Sequence, residues 1–250
     1  MNNQPKGRFS YISTKIHDMK KLILLFIILI SQSTISQFAD PTANFFINGN
    51  VNLYKLKEYD TKVKGNPYLD KDFKSGEIIF SNGKKYNAQI RLDISEQKFE
   101  IKSNQNSQAS AIDIDETVTI TIEGEIYKLF SFKLNKPENT IAVLEEVLKL
   151  ESYGLYYFPQ KKIEMPEKPN VTAPATGYTK PPSPKWVDNS VFLIFNNNKS
   201  YIVPTSHNKM QALNLLNGKA YKKYRKENKL NLQDKESLKS FVTYLNSTQL

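Results

Sequence analysis

Residues 76–102 read GEIIFSNGKKYNAQIRLDISEQKFEIK, and this stretch decides the fold. An apolar run leads into Asn82-Gly83, a dipeptide typical of a two-residue hairpin turn. Apolar and polar residues then alternate over residues 86–94, which is the period of a strand with one buried face and one wet face. The alternation resumes from Phe99 after a short turn. The stretch therefore predicts an antiparallel meander.

Further segments rich in β-branched residues extend the predicted sheet on both sides of this meander. Residues 45–54 predict a first strand with a break in its middle. Residues 118–122 and 126–134 predict another hairpin, and residues 153–163 a further strand. Residues 140–150 are compatible with either a strand or a helix.

A last hairpin is predicted from residues 191–195 and 200–203. Both faces of its first strand are apolar, so that strand is expected inside the sheet. Three helices follow. Ser206 is expected to cap a helix that ends at Gly218, and residues 219–228 predict a second, very basic helix.

Asp234 is expected to cap the third helix. Its apolar residues recur at i, i+3, i+4 and i+7, which is one face of a helix. Such stripes are expected to dock onto the sheet, and a membrane- or partner-binding stripe is the alternative. Together the patterns predict an α+β fold. It would be a largely antiparallel, curved or sandwich-like sheet of about 8–10 strands, with three C-terminal helices.

The start of the chain predicts export from the cytoplasm. Residues 22–30 are nine unbroken apolar residues between a pair of lysines and the small polar run at residues 31–34. This is the order of a secretory signal peptide, with cleavage expected after Ser36 and Ser33 as the alternative. Nine helical residues span roughly 14 Å, too little for an uncleaved anchor in a bilayer core of about 30 Å. Met19 resembles a natural start, and the product is expected in the periplasm or outside the cell.

Three segments follow from these patterns: a signal peptide at residues 1–36, an N-terminal strand and charged segment at 37–75, and an α+β domain at 76–250. Within the domain, residues 165–185 carry six prolines, which cannot donate hydrogen bonds to a strand ladder. An exposed loop or linker is expected there, and a Pro-rich ligand for a recognition domain is the alternative.

Charge is distributed unevenly along the chain. Residues 37–204 hold 21 basic and 21 acidic residues, whereas residues 205–250 hold nine basic and three acidic ones, a net charge of +6. Such asymmetry is typical of an anionic partner, and a solvated lysine-rich face is the alternative. Because export makes nucleic acid an improbable partner, an anionic envelope component or an acidic protein is expected. The candidate contact residues are Lys219, Lys222, Lys223, Arg225, Lys226 and Lys229.

The inventory of reactive residues is small. The chain has no cysteine, which excludes disulfides, cysteine-based metal sites and a lipoprotein anchor. After residue 36 it has one histidine, His207, expected in a turn at a helix start. No nucleophile elbow, phosphate-binding loop or zinc motif occurs. We therefore expect neither a catalytic site nor a cofactor.

Two acidic clusters and one aromatic group leave alternatives open. Asp113, Asp115 and Glu116 could offer oxygen ligands to calcium, but a solvated strand end is the simpler interpretation. The pair Glu145-Glu146 could serve a glycosidase if the fold placed it across a cleft. Aromatic side chains near the Pro-rich segment could line a sugar or lipid site or pack in the core. They are Tyr153, Tyr156, Tyr157, Phe158 and Trp186.

Several of these motifs resemble a family of uncharacterised secreted or periplasmic proteins of Gram-negative bacteria. The resemblance covers about residues 76–250, and it rests on the opening at residues 76–86, the alternating strand at 90–94, and the ending at residues 224–230 and 234–246. These motifs are structural and carry no chemistry. The resemblance implies an envelope protein and transfers no functional residue.

The sequence thus favours an exported, non-enzymatic binding or structural protein. One alternative is an envelope carrier of a lipid or another amphipathic molecule, with a basic helical surface for anionic headgroups. A carboxylate-based hydrolase is the other. A deep apolar cavity is expected for the carrier, and two facing carboxylates in a cleft for the hydrolase.

Overall fold

A computed structural model describes residues 53–134, 138–166, 182–197 and 199–248. These residues contain thirteen strands and three helices. The strands are β1 Leu53–Tyr54, β2 Lys74–Phe80, β3 Lys85–Asp93, β4 Lys98–Lys102, β5 Ser110–Ile112, β6 Val118–Ile122, β7 Glu125–Phe132, β8 Thr140–Lys149, β9 Tyr153–Phe158, β10 Lys161–Glu164, β11 Lys185–Asp188, β12 Val191–Asn196 and β13 Lys199–Ile202. The helices are α1 His207–Ala212, α2 Gly218–Asn228 and α3 Lys235–Ser247.

Eleven of these strands form one antiparallel sheet, in the order β1-β5-β4-β3-β2-β6-β7-β8-β9-β12-β13, while β10 and β11 pair separately. The α+β class with a curved, largely antiparallel sheet is confirmed, but the strand number exceeds the expected 8–10. One reason is that residues 153–163 form two strands in different sheets. Pro159 follows β9 directly, and a proline cannot continue a ladder as a donor. The ambiguous residues 140–150 form strand β8.

The predicted hairpin forms at Asn82-Gly83. Ile78 of β2 lies opposite Tyr86 of β3. The loop has three residues, 81–83, because the Phe80 N–H donates to the carbonyl oxygen of Lys84 at 2.9 Å. Gly83 takes the positive φ of 81° that a three-residue loop requires at this position, and Asn82 does not, so the turn is not the two-residue type. The last predicted hairpin also forms, with β12 between β9 and β13 as its two apolar faces indicated. Apolar alternation and turn chemistry therefore set both hairpins.

The sheet is curved, and strands far apart in its order touch. Gln97, in the turn between β3 and β4, accepts a hydrogen bond from the backbone N–H of Val143 on β8 at 2.9 Å. Near the other end, the Ser200 hydroxyl of β13 donates to the carbonyl oxygen of Lys133, just beyond β7. One face of the sheet is buried around β2 to β6, and the opposite face holds a second core around β7, β8, β9 and β12.

The helices pack on the sheet through one apolar cluster, as their stripes predicted. It joins β9 and β12 to all three helices, and α3 contacts β8 and β9 directly. The buried members from α3 are Leu238, Phe241, Val242 and Leu245.

The first helix is shorter than expected. Ser206 occupies its N-cap position but its side chain makes no capping hydrogen bond, and the helix ends with Leu213 as C-cap. Gly218 does not end this helix; it is the first residue of α2, because Asn217 caps that helix through its side chain. The prediction of Gly218 as a stop signal was therefore wrong.

Some predictions lie outside the described residues. These are the signal peptide, all of the predicted first strand except β1, and residues 167–181 of the Pro-rich segment. At the ends of that segment, Met165 is exposed and Lys185 already belongs to β11.

Candidate functional site

The basic residues of α2 share one face of the helix. Tyr221 and Tyr224 are buried, and their rings lie 5.9 and 5.3 Å from the ring of Phe241 on α3. This packing turns the opposite side of α2 to solvent. Lys219, Lys222, Lys223 and Lys226 fall at i, i+3, i+4 and i+7, the spacing of a single stripe.

All six predicted contact residues are exposed, Arg225 and Lys229 included. None of the six forms an ion pair with any of the residues that the structure describes. The nearby lysines of α3 differ: Lys235 pairs with two glutamates, and Lys239 pairs with Glu236 at 3.0 Å. We call the six cations the basic face of α2.

The helix dipole opposes the charge at the start of α2 only, because Arg225 and Lys226 lie in the last turn, where the dipole favours cations. The first turn of α2 has no acidic residue and carries Lys219, which faces the positive end of the helix dipole. Like charges three or four residues apart also repel each other. The helix is instead held by the side chain of Asn217, which accepts from the Lys219 N–H at 2.9 Å, and by the left-handed C-cap Lys229. The basic face is therefore not needed to form the helix.

His207 joins two helices. Its Nδ1 lies 2.8 Å from the hydroxyl of Tyr221, so it ties α1 to α2. Burial, together with the nearby charge of Arg225, lowers the pKa of the imidazole. These contacts give the histidine a structural position within the helical layer.

The two glutamates of the suggested catalytic pair point to opposite faces of the sheet, as neighbours on a strand must. Glu146 pairs with Lys128 at 3.1 Å. Glu145 lies on the helix side. The Lys235 ammonium is 2.5 Å from Glu145 and 2.9 Å from Glu125. The Glu145-Glu146 pair therefore does not flank a common cleft.

Glu145 is nevertheless an unusual carboxylate. It is buried, and its Oε1 has no hydrogen bond of good geometry although the Lys235 ammonium is near. Burial raises the pKa of Glu145, whereas the hydrogen bond from Lys235 lowers the pKa of the more exposed Glu125. The lysine thus fastens the start of α3 to β7 and β8.

The acidic cluster at residues 113–116 forms local contacts. Asp113 pairs with Lys98 at 3.3 Å, and one oxygen of Asp115 accepts from the backbone N–H and the hydroxyl of Thr117. Across the described part of the chain, no group of three potential acidic or histidine ligands could hold a metal ion.

The five aromatic residues near the Pro-rich segment do not form one group. Tyr153 packs under the helices, whereas Tyr156 and Phe158 belong to the core on the other face. Trp186 packs edge-on against Tyr59 at 6.0 Å. Tyr157 lines a cavity beside the helices. That cavity draws its residues from distant parts of the chain, so no local motif could have indicated it.

A buried ion pair was also missed in the sequence. Arg91 contacts Glu100 on the neighbouring strand at 2.6 Å, and the glutamate is 1% exposed. The guanidinium lies 3.7 Å from the ring centre of Tyr68 and 4.3 Å from that of Phe73. The alternation had indicated a wet face here, and no local signal showed that residues 59–73 cover it.

The described helices include none with both the length and the apolar character needed to span a bilayer. No protein-family model, curated protein or solved structure matches the chain.

Proposed function

We propose that this is an exported, non-enzymatic binding or structural protein that contacts an anionic component of the cell envelope through the basic face of α2. The observation that carries the proposal is a set of six exposed cations, four of them in one stripe of α2 with Arg225 and the C-cap Lys229 beside it, none of them paired among the described residues. A concentration of unpaired cations on an exposed surface favours an anionic partner.

The chemistry of the basic face favours a contact held by charge alone. Five of its six residues are lysines, whose ammonium groups act as compact point charges. The large apolar residues of α2, Tyr221 and Tyr224, are already buried in the core. We therefore expect α2 to be attracted to an anionic surface without inserting into it. This attraction should weaken as salt screens the charges.

Anionic vesicles provide the test. The variant with Lys222, Lys223, Arg225 and Lys226 changed to Gln should bind phosphatidylglycerol-containing vesicles more than about tenfold more weakly than the wild type. Each basic residue near an anionic surface contributes about 1 kcal/mol. Sedimentation with vesicles at low and high salt measures the effect.

A matched control removes the same charge elsewhere. Lys62, Lys84, Lys133 and Lys149 are exposed and unpaired among the described residues, so their change to Gln should leave most vesicle binding intact. Equal losses in both variants would reduce the effect to net charge. If the wild-type protein does not bind anionic vesicles, a lipid surface is not the partner, and an acidic protein is the remaining anionic partner.

The other two functions have less support. Five cavities among the described residues hold about 300–520 Å³ and have mixed polar and apolar linings, so none of these five is an apolar groove for a lipid. The hydrolase lacks a cleft around Glu145, whose carboxylate is occupied by Lys235.

A further inference from the structure

A cavity of about 360 Å³ lies where β9 and the start of β12 meet the connection between α2 and α3. We call it the Tyr157 cavity. Its floor is apolar, because Val203 and Leu232 are buried and the rings of Tyr157 and Phe192 lie 5.2 Å apart. A volume of this size falls in the range of small-molecule sites.

Three exposed side chains form a polar rim around this floor: the carboxylate of Asp188, the hydroxyl of Thr205 and the amide of Gln233. One oxygen of Asp188 accepts the backbone N–H of Ser190 at 2.9 Å, which fixes the carboxylate at the rim. Its other oxygen and the Thr205 hydroxyl have no hydrogen-bond partner among the residues that the structure describes. The Nε2 of Gln233 already donates to the carbonyl oxygen of Leu232 at 3.2 Å, and its Oε1 has no partner among the described residues. Two acceptors and a hydroxyl therefore remain available to a ligand.

The charges around the cavity are negative by one. Asp188 lies opposite Lys161 in the β10–β11 pair. Glu145, which lies opposite Tyr157 on β8, is paired with Lys235. Lys235 is shared with Glu125, and the Lys161 ammonium donates to the carbonyl oxygens of Asn66 and Tyr68. Three carboxylates therefore lie near two ammonium groups, an environment that disfavours an anion and leaves the free oxygen of Asp188 as an acceptor for a hydroxyl.

We propose that the Tyr157 cavity binds one ring of a neutral sugar. The C–H face of such a ring would pack on Tyr157 and Phe192, and its hydroxyls would donate to Asp188 and bond with Thr205 and Gln233. This site goes beyond the proposed function. It shares no residue with the basic face of α2, so the two proposals can fail separately.

Saturation-transfer NMR on the purified protein tests the proposal with methyl β-glucoside, methyl β-galactoside and N-acetylglucosamine as probes. At least one should bind saturably, with a dissociation constant on the order of 1 mM for a ligand of this size. Asp188→Asn should weaken it at least about tenfold, because a charged acceptor is lost while the shape is kept. Thr205→Val should weaken it by about threefold.

Thr61→Val serves as the control, since this threonine is exposed and does not line the cavity. Its binding should equal that of the wild type. Absence of saturable binding for all three probes would overturn the proposal. So would binding that survives Asp188→Asn and Thr205→Val unchanged, or saturable binding of tetramethylammonium in place of the sugars.

Discussion

Arg91 shows how one residue fixes a whole segment. Its Nε and Nη2 donate to the same oxygen of Glu100 at 2.7 and 2.6 Å, and its Nη1 donates to the carbonyl oxygen of Lys71 at 2.9 Å. The rings of Tyr68 and Phe73 lie against the guanidinium. The arginine thus fastens the irregular segment before β2 onto β3 and β4.

Removal of this guanidinium should be costly. Arg91→Met leaves the carboxylate of Glu100 buried without its partner, so we expect a loss of about 3–5 kcal/mol in the free energy of unfolding. Urea denaturation measures it. Lys55→Met is the control, because the Lys55–Glu58 pair is 87% and 88% exposed and should contribute nothing measurable. A loss below about 1 kcal/mol for Arg91→Met would contradict the buried pair.

At this scale the sequence was partly misleading. The alternation placed Arg91, Asp93 and Glu100 on one face of the meander, and they do share that face. It predicted that the face would be wet, yet Asp93 and Glu100 are buried. The reason is a distant segment: Tyr59 donates to Asp93 and Tyr68 to Glu100. Period two indicates which residues share a face, but not what covers that face.

Among the elements, α2 uses one side for packing and the other for the proposed binding. Its apolar side is used for packing, and its solvent side carries charge that the helix itself does not require. Sequence alone predicted this helix within one residue and α3 with its Asp234 cap, whose side chain accepts from the Ser237 N–H at 2.7 Å. For α1 the cap signal at Ser206 was present, but the apolar spacing ran past the helix end.

Reversing the charge at the start of α2 should stabilise the protein. Lys219→Glu places a negative charge in the first turn and a Glu–Lys pair at i, i+4 with Lys223, so we expect the protein to be stabilised by about 0.5 kcal/mol. Anionic vesicle binding should fall in the same variant. Thermal unfolding and vesicle sedimentation measure the two effects.

The opposite end of α2 supplies the control. Lys229→Glu introduces the same change of charge at the negative end of the helix dipole, so it should weaken vesicle binding while destabilising the helix. If Lys219→Glu destabilised the protein, the claim that Lys219 opposes helix stability would be wrong.

At the scale of the whole molecule, we expect the curvature of the sheet to depend on a few contacts between distant strands. Gln97 is the clearest: its amide oxygen accepts from Val143, and its amide nitrogen donates to the carbonyl oxygen of Ile94. The side chain therefore holds the β3–β4 turn against β8. Val143 is fully buried, so no water can replace this acceptor.

Loss of this contact should lower the free energy of unfolding. Gln97→Ala leaves the Val143 N–H buried and unpaired, at a cost of about 1–3 kcal/mol, and should speed its hydrogen exchange. Gln89→Ala, which removes an exposed 3.1 Å contact to Ser75, should change stability little. Unaltered protection of Val143 in Gln97→Ala would show that the curvature does not depend on this bond.

The sequence by itself determined the α+β class, the two hairpins, the apolar stripes of the helices and the six residues of the basic face. Each follows from local rules of periodicity, turn geometry and charge along the chain. Tertiary structure alone decided that Glu145 and Glu146 face apart, that residues 59–73 bury Arg91 and Glu100, and that the Tyr157 cavity exists. These depend on contacts between residues far apart in the chain, and local patterns carry no information about which distant segment will cover a given face.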